Sequence, residues 1–292
     1  MEREKRIKSG RLLEVEFYPV FSDGRKIPSR APKSKKTTEE QAKCNRNRAI
    51  KNLVRYVNAN FDNTDVFMSP TYIPECAPQS EEEARRNIQN YFRRVKTKRV
   101  SELKHTEKML SLSPYDEKLK IKRKKLREPL RYIYVIEKQV YKSGPYRGKM
   151  NFHYHIFMTG GLDRDVMEEM WRGGIRVNTN RFQPERFGVE AAARYCSKDP
   201  QGSKSFSGSR NLKRPTVTKV IDGKITPRGV EKLAKERSDD REYWEKRHKG
   251  YKFIRCFSRY NNYNGNFYIS VIMYKTEEKT DFSPWKTEWL YE

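Results

Sequence analysis

Two stretches of sequence decide the fold: YIYVIEKQV at residues 132–140 and NFHYHIFM at residues 151–158. Both are rich in β-branched and aromatic residues, which favour strands. The segment between them contains Gly144, Pro145 and Gly148, which are residue types that favour a loop. The two stretches therefore predict a β-hairpin with a long connection.

The second strand of this hairpin carries two histidines at alternate positions. Because side chains alternate along a strand, His153 and His155 point to one face. Two such imidazoles suit a divalent metal ion, although a pair of surface histidines explains the pattern equally well. The opposite face of the strand is expected in the core: Phe152, Tyr154 and Ile156.

Glu137 interrupts the apolar run of the neighbouring strand. If the two strands pair antiparallel, its carboxylate can reach the histidines, and a half-buried carboxylate needs a partner such as a metal. The sequence therefore predicts a metal site made by His153, His155 and Glu137. The alternative for Glu137 is an ordinary surface residue at a strand end.

The segments on either side extend the hairpin into a larger sheet. Residues 64–70 predict a buried strand, and Ser80 with Glu83 has the spacing of a capping box that opens an amphipathic helix. Residues 163–171 predict a short helix and residues 174–182 another strand. The resulting order is strand, helix, strand, strand, helix, strand, which is that of a ferredoxin-like antiparallel sheet. The predicted class is α+β, with helices on the faces of the sheet.

Further elements flank this core. Residues 11–20 predict a first strand, and Thr37 with Glu40 predicts the start of an amphipathic helix. Residues 96–128 are dominated by Lys and Glu and predict a helical, highly solvated insertion. Residues 229–249 predict a charged helix. Two apolar stretches near the end predict a closing β-hairpin: FIRCFSRY at 253–260 and NFYISVIMYK at 266–275.

The predicted elements divide the chain into three parts. Residues 1–63 form an N-terminal basic extension with a strand and a helix, and residues 64–215 form the core. Residues 216–292 form a C-terminal helix and β-hairpin that pack on the core. Within the core, residues 184–200 predict a helix that Pro184 opens, followed by a basic loop or edge strand.

The charge of the chain points to a polyanionic partner. Its 292 residues include 64 Lys and Arg against 38 Asp and Glu, a net charge of +26. Nucleic acid is the simplest such partner. Four cysteines without a CxxC spacing argue against a disulfide framework or a cysteine-based zinc module. No apolar run reaches the roughly 20 residues that span a bilayer, so we expect a cytoplasmic protein that makes no membrane contact.

A tyrosine and a lysine in RYCSKD, residues 194–199, are candidates for covalent chemistry. Tyr195 and Lys198 lie three residues apart in a predicted helix and so on nearly the same face. A tyrosine of ordinary pKa, about 10, is a poor nucleophile, and a metal and a nearby cation would assist its attack on a phosphate. Taken alone, Tyr195 is better explained as a packing residue and Lys198 as a solvated helix residue.

Taken in order, these motifs resemble those of the HUH endonuclease family, particularly the Rep initiators of rolling-circle replication in bacterial plasmids and phages. VFMSPTY at 66–72 is similar to the first motif, a hydrophobic strand that runs into Thr-Tyr. HYHIFM at 153–158 matches the second motif, and RYCSKD matches the third, Tyr-x-x-Lys. FSGSRNLKRP at 206–215 is similar to a segment that often follows the third motif. The resemblance covers residues 64–215 and is loose elsewhere.

The resemblance implies a nicking and joining reaction on single-stranded DNA. His153, His155 and Glu137 would hold Mg²⁺ or Mn²⁺ against the scissile phosphate. Tyr195 would attack, giving a 5′-phosphotyrosine link and a free 3′-hydroxyl, and Lys198 would orient the phosphate or steady the phenolate. No second tyrosine lies one helical turn from Tyr195. The second cleavage therefore needs the tyrosine of a second subunit or a water activated by a carboxylate.

Other residues are expected to contact the DNA. Tyr72, in the first motif, is expected to be either structural or DNA-contacting. The basic runs at 93–99 and 120–127 are either solvated helix faces or phosphate contacts. The aromatic residues of the last hairpin either pack in the core or stack unpaired bases. The remaining predicted DNA contacts are cationic: Arg194, Lys204, Arg210, Lys213 and Arg214.

Two other interpretations explain part of the pattern. A relaxase or an HUH transposase uses the same three-part site, although relaxases commonly begin a longer chain and the small transposases are much shorter. A non-enzymatic basic DNA-binding protein explains the charge but leaves the histidines and Tyr195 unexplained. No G-x-x-x-x-G-K-[ST] motif is present. The expected partners are therefore single-stranded or hairpin origin DNA, a host helicase and polymerase, and a transient second subunit.

Overall fold

A computed structural model describes residues 1–21, 38–174, 177–181 and 205–275. These residues form two compact units. The smaller unit contains residues 1–21 and 216–275, and the larger unit contains the rest. Each unit combines helices with one five-stranded antiparallel sheet, so the class is α+β, as predicted.

The secondary-structure elements of the described residues are numbered in chain order. A short 3₁₀ turn, Pro74–Cys76, follows the third strand. The strands are β1 (Glu2–Ser9), β2 (Leu12–Pro19), β3 (Val66–Pro70), β4 (Tyr132–Val140), β5 (Met150–Met158), β6 (Val177–Arg181), β7 (Ser207–Gly208), β8 (Thr216–Asp222), β9 (Tyr251–Asn261) and β10 (Asn266–Lys275). The helices are α1 (Glu39–Asn60), α2 (Glu81–Leu112), α3 (Glu117–Arg127), α4 (Arg164–Glu169), α5 (Pro227–Glu236) and α6 (Arg241–Arg247).

The sheet of the larger unit has the strand order β6-β3-β5-β4-β7. The predicted hairpin is present, because β4 pairs with β5 along its whole length, from Tyr132 opposite Met158 to Val140 opposite Met150. The strand β3 pairs with β5 on one side and with β6 on the other. The histidine-bearing strand β5 therefore lies in the middle of the sheet.

Both faces of this sheet are covered by helices. One face carries a core that includes Tyr154 and Ile156 of β5, packed against Ile88 and Tyr91 of α2 and Met167 of α4. The other face carries a second core, in which apolar side chains of β4 and β5 meet α1: Leu53, Val57, Phe61, Ile133, Val135 and Phe157. The alternation predicted for β5 is confirmed, since its even-numbered side chains lie on the α2 face.

Side-chain caps begin the long helices where polar residues precede an apolar stripe. The helix α1 begins after Thr38, whose hydroxyl accepts a hydrogen bond from the Gln41 amide, one residue after the predicted Thr37. The Ser80 hydroxyl likewise accepts from the Glu83 amide at the start of α2. Each cap satisfies a backbone donor that the first turn of a helix leaves unpaired.

The prediction of a solvated insertion at residues 96–128 is only partly right. The segment is helical, but α2 and α3 pair with each other through ion pairs. Lys122 Nζ lies 2.8 Å from Glu102, and Arg127 Nη2 lies 2.7 Å from Glu107. Many of the charges in the run at 120–127 are therefore engaged within the protein, and fewer are available for phosphates than the sequence suggests.

Arg99, which lies in the basic run at 93–99, is buried, with only 4% of its surface exposed. Its Nη2 group donates to the carbonyls of Lys125 (2.9 Å), Leu126 (3.2 Å) and Glu128 (2.9 Å), and its Nη1 group donates to the Gly160 carbonyl. The guanidinium thus donates to the carbonyls at the C-terminal end of α3 and ties them to the residues that follow β5. A helix C-terminus favours a cation.

The smaller unit has the strand order β8-β1-β2-β10-β9, with α5 and α6 packed on one face through Val230, Leu233 and Trp244. The strand β1, EREKRIKS, was not predicted, because a charged run at the N-terminus resembles a solvated tail. It pairs on both sides, and its buried Glu4 accepts hydrogen bonds from Arg6 and Arg247. Internal ion pairs therefore allow a charged strand to lie inside a sheet.

The division of the chain differs from the predicted one in residues 1–63. The strands β1 and β2 belong to the smaller unit, in the same sheet as β10, whereas α1 packs on the sheet of the larger unit. Pairing between distant strands joins the two ends of the chain, and no local pattern reveals it. The closing hairpin, β9 with β10, is present as predicted.

The predicted charged helix at residues 229–249 is two helices. The helix α5 ends at Glu236, and α6 begins after Asp240, whose carboxylate accepts from the Tyr243 amide. The aromatic residues of the last hairpin differ in burial, and the stacking of bases on the exposed ones stays a prediction. Phe267 packs on the core, while Phe257 and Tyr263 are exposed.

In the part of the chain that the structure describes, no helix is both long and apolar enough to cross a membrane. The longest, α2, has 32 residues but is charged along its length. The helix predicted for residues 184–200 lies outside the described residues.

Replacement of Arg99 by methionine should destabilise the larger unit. Five backbone carbonyls would lose a buried charged donor, and we expect the free energy of unfolding to fall by about 2–4 kcal/mol. Urea denaturation monitored by circular dichroism measures the change. Lys98→Met removes the same charge from an exposed neighbouring position and should change the value by less than about 0.5 kcal/mol. Equal losses in the two variants would contradict the role of Arg99.

Candidate metal centre

The pairing register of β4 with β5 builds the candidate site. Glu137 lies directly opposite His153, and Val135 lies opposite His155. Residues opposite each other in an antiparallel pair point to the same face. The carboxylate and both imidazoles therefore share the face that α1 covers further along the sheet, as the sequence predicts.

The three side chains converge closely enough to share one ion. One candidate ligand atom from each of Glu137, His153 and His155 lies within 4.8 Å of the others. Glu137 Oε2 is 3.2 Å from His155 Nε2, and the two imidazole rings lie 4.6 Å apart, nearly perpendicular to each other. Two imidazoles and a carboxylate are a common ligand set for divalent metals, and they leave coordination positions open.

A second layer of hydroxyl groups orients the two imidazoles. Ser69 Oγ lies 3.3 Å from His155 Nδ1, and Thr71 Oγ1 is hydrogen-bonded to His153 Nδ1. With each Nδ1 atom engaged by a hydroxyl, the Nε2 atoms are the candidate ligand atoms, and that of His155 lies beside the Glu137 carboxylate. Hydrogen bonds of this kind select the tautomer and the ring orientation of metal-ligating histidines.

The sequence analysis did not identify the role of Ser69 and Thr71. They lie two apart at the end of β3, so alternation places them on one face. This spacing of two hydroxyl-bearing residues is visible in the sequence VFMSPTY, residues 66–72. Its meaning depends on the pairing of β3 with β5, which brings Thr71 opposite His153.

Burial holds both imidazoles in the neutral form that a metal requires. Desolvation, with a smaller contribution from the neighbouring His155, lowers the pKa of His153 to about 4. Desolvation also lowers the pKa of His155, which is fully buried, against an opposing effect of Glu137. A buried neutral imidazole next to a carboxylate is therefore ready to ligate a cation without first losing a proton.

One side of the site is packed against the core, and the other side reaches solvent. The Phe67 ring stacks parallel to the His155 ring, with centroids 6.2 Å apart, and continues into the core under α1. The Glu137 side chain is 24% exposed. This group of residues could hold a metal ion, and it fits the predicted ligand set.

Tyr72 lies in the core on the opposite face of the sheet. It is 3% exposed, and its hydroxyl is 3.0 Å from the Tyr154 hydroxyl. Its ring packs against Trp171, with centroids 5.0 Å apart. Of the two roles expected for Tyr72, the structural one matches this burial.

Three predicted DNA contacts lie on the segment that follows β7, at the edge of the same sheet. The side chains of Arg210, Lys213 and Arg214 are exposed. The backbone of this segment is held in place, because Asn60 at the end of α1 bonds both the amide and the carbonyl of Lys213. The segment therefore presents free cations from a fixed backbone.

The other predicted site residues lie outside the described residues. These are the proposed nucleophile Tyr195, its neighbour Lys198, and two predicted DNA contacts, Arg194 and Lys204. Their assignments remain predictions from the sequence.

Comparison of the chain with protein-family models, with curated proteins and with solved structures finds no match.

The geometry predicts that the chain binds one Mn²⁺ ion through Glu137, His153 and His155. His153→Ala should abolish binding because it removes a ligand. Thr71→Val should weaken binding by about 10-fold to 100-fold because it frees the His153 ring while keeping the side-chain shape. Electron paramagnetic resonance of free Mn²⁺ in a titration measures both effects.

His105→Ala is the matched control, since His105 is exposed on α2 and belongs to no candidate metal cluster of the described residues. It should bind Mn²⁺ like the wild type. Unchanged binding in His153→Ala would exclude this site.

The lowered pKa of His153 also predicts an unusual pH dependence. An imidazole of ordinary pKa, about 6.5, takes up a proton and loses its metal as the pH falls below that value. With its pKa at about 4, His153 should stay neutral, so Mn²⁺ affinity should change by less than about threefold between about pH 7 and about pH 5.5. A loss near tenfold per pH unit beginning at about pH 6.5 would contradict the buried, neutral imidazole. The same titration at several pH values distinguishes the two results.

Proposed function

We propose that the chain is a metal-dependent nicking and joining enzyme of the HUH type, acting on single-stranded DNA as an initiator of rolling-circle replication. The observation that carries the proposal is the convergence of Glu137, His153 and His155 on one face of a central strand. This is the ligand set that the resemblance implies, with its orienting hydroxyls in the first motif.

The arrangement of the larger unit supports the proposal. Its elements follow the order β3, α2 with α3, β4, β5, α4, β6, and the strand order β6-β3-β5-β4 is the one expected of a ferredoxin-like sheet. We propose that this sheet, with β5 in the middle, is the HUH core. The strand β7 and the helix α1 are then additions to it.

The charge of the chain supports DNA as the substrate. A net charge of +26 favours binding to a polyanion, and exposed cations lie on a held segment at the edge of the sheet that carries the metal ligands. Phosphate contacts of this kind position a strand without reading its bases. Sequence preference would then come from other contacts or from the shape of an origin hairpin.

The proposed reaction exchanges one phosphoester bond for another. The Tyr195 hydroxyl, as phenolate, forms a bond to the scissile phosphorus, and the bond from phosphorus to the 3′-oxygen breaks. The leaving oxygen takes a proton and becomes a 3′-hydroxyl, and the reverse attack by a 3′-hydroxyl rejoins the strand. A divalent ion at the site would supply charge neutralisation at the phosphate. We assign Lys198 to orient the phosphate or steady the phenolate.

A nicking assay tests the proposal. Labelled single-stranded oligonucleotides that tile the DNA flanking the gene are incubated with the protein and Mg²⁺ or Mn²⁺. We expect one hairpin-forming oligonucleotide to be cut and to give a protein–DNA adduct that survives SDS. Tyr195→Phe should form no adduct because it lacks the attacking oxygen, and chelator should stop cleavage in the wild type.

Tyr115→Phe is the matched control, since Tyr115 is 89% exposed and far from any predicted motif in the sequence. It should cut and form adduct like the wild type. An SDS-stable adduct in Tyr195→Phe would move the nucleophile to another residue. Binding without cleavage of any oligonucleotide would favour a non-enzymatic basic DNA-binding protein.

A further inference from the structure

A polar cleft of about 250 Å³ opens on the larger unit, on the α2 side of the sheet. Tyr72 and Trp171 form its apolar wall, and both belong to the core on that side. The cleft shares no residue with the candidate metal centre. Its other principal lining residues are polar or charged: Asn87, Asn90, Arg94 and Arg172.

Two guanidinium groups face this cleft without a compensating carboxylate. Burial, together with the positive charge of Arg172, lowers the pKa of Arg94. Arg94 donates from Nε to the Met170 carbonyl at 3.1 Å, which leaves its two Nη groups for another acceptor. Within the described residues, neither arginine has an acidic group within ion-pair distance. Two like charges that line the same cleft favour a bound anion.

A buried donor on the wall of the cleft is also unsatisfied. Trp171 is 6% exposed, and its indole Nε1 has no hydrogen-bond acceptor among the described residues. An indole N–H can only donate, and leaving it buried without an acceptor costs free energy. Asn87 and Asn90 add side-chain amides to the same lining. The two amides belong to the lining that a ligand would meet, whereas the indole nitrogen is itself buried.

The wall that carries the indole is closely packed. Gly173 lies so near that a Cβ atom there would stand 2.6 Å from Trp171 Nε1 and 2.6 Å from Tyr72 Cδ1. The Ile73 amide donates to the Gly173 carbonyl at 2.8 Å, which joins this loop to the end of β3. The aromatic wall of the cleft is therefore a preformed part of the fold.

We infer that this cleft is a phosphate-binding site. Two guanidinium groups and two side-chain amides match the several oxygens and the negative charge of a phosphate, and the aromatic wall beside them can contact the sugar or base of a nucleotide. The phosphate belongs either to a free nucleotide or to the backbone of a DNA strand. Thr71 and Tyr72, consecutive residues at the end of β3, contribute to the metal centre and to the cleft on opposite faces of the sheet.

Isothermal titration calorimetry in the presence of chelator tests the inference without the metal centre. The probes are inorganic phosphate, thymidine 5′-monophosphate and a short oligothymidylate. We expect saturable binding of at least one probe, weakened about 10-fold to 100-fold by Arg94→Gln or Arg172→Gln, the loss of a charge-assisted hydrogen bond. Arg172 is exposed, so its substitution should leave the fold unchanged even if Arg94→Gln reduces stability.

Arg86→Gln is the matched control, because Arg86 is an exposed arginine of α2 that does not line the cleft. Its effect on binding should be less than about twofold. Tighter binding of the monophosphate than of inorganic phosphate or the oligonucleotide identifies a free nucleotide as the source. Binding of the oligonucleotide alone, lost in both cleft variants, identifies a backbone phosphate.

Absence of saturable binding by any probe, or equal weakening by Arg86→Gln, would overturn the inference. The result is independent of the nicking reaction, because His153→Ala should retain the cleft and bind the probes normally. Failure of the nicking assay would therefore leave this site testable by itself.

Discussion

The antiparallel register of β4 with β5 is the constraint on which the candidate site depends. It places Glu137 opposite His153 and brings its carboxylate 3.2 Å from His155. Because side chains alternate along a strand, a slip of one residue would move Glu137 to the other face and leave the two imidazoles without their carboxylate. The register is held by apolar side chains on both faces of β4 and β5, which fill two separate cores.

The position of the site follows from where the core under α1 stops. Along β5, Phe157 is packed against α1, His155 is buried beside Phe67, and His153 is only partly buried. The polar groups therefore lie at the border between the core and solvent. Burial at this border lowers the pKa of His153 by desolvation, while the Glu137 side chain keeps some exposure to solvent. A candidate site with two neutral imidazoles and an accessible carboxylate results from the depth at which each residue lies.

The large positive charge serves several purposes in the described structure. Arg99 closes the end of α3 from inside the protein, and Lys122 joins α3 to α2. Arg210 and its basic neighbours remain exposed at the edge of the sheet, and Arg94 with Arg172 lines a cleft. Counting cations in the sequence indicates a polyanionic partner, but only the folded chain separates structural cations from those that can contact a phosphate.

The sequence by itself determined the class of the fold, the hairpin of β4 and β5, and the face that His153 and His155 share, because alternation and residue type are local properties. It did not determine that Ser69 and Thr71 orient the imidazoles, nor that β1 and β2 join the C-terminal strands. Those features depend on pairing between segments distant in the chain. Only the tertiary structure decides which distant strands pair and in which register, because many pairings satisfy the same alternation and the packing of whole side chains selects one of them.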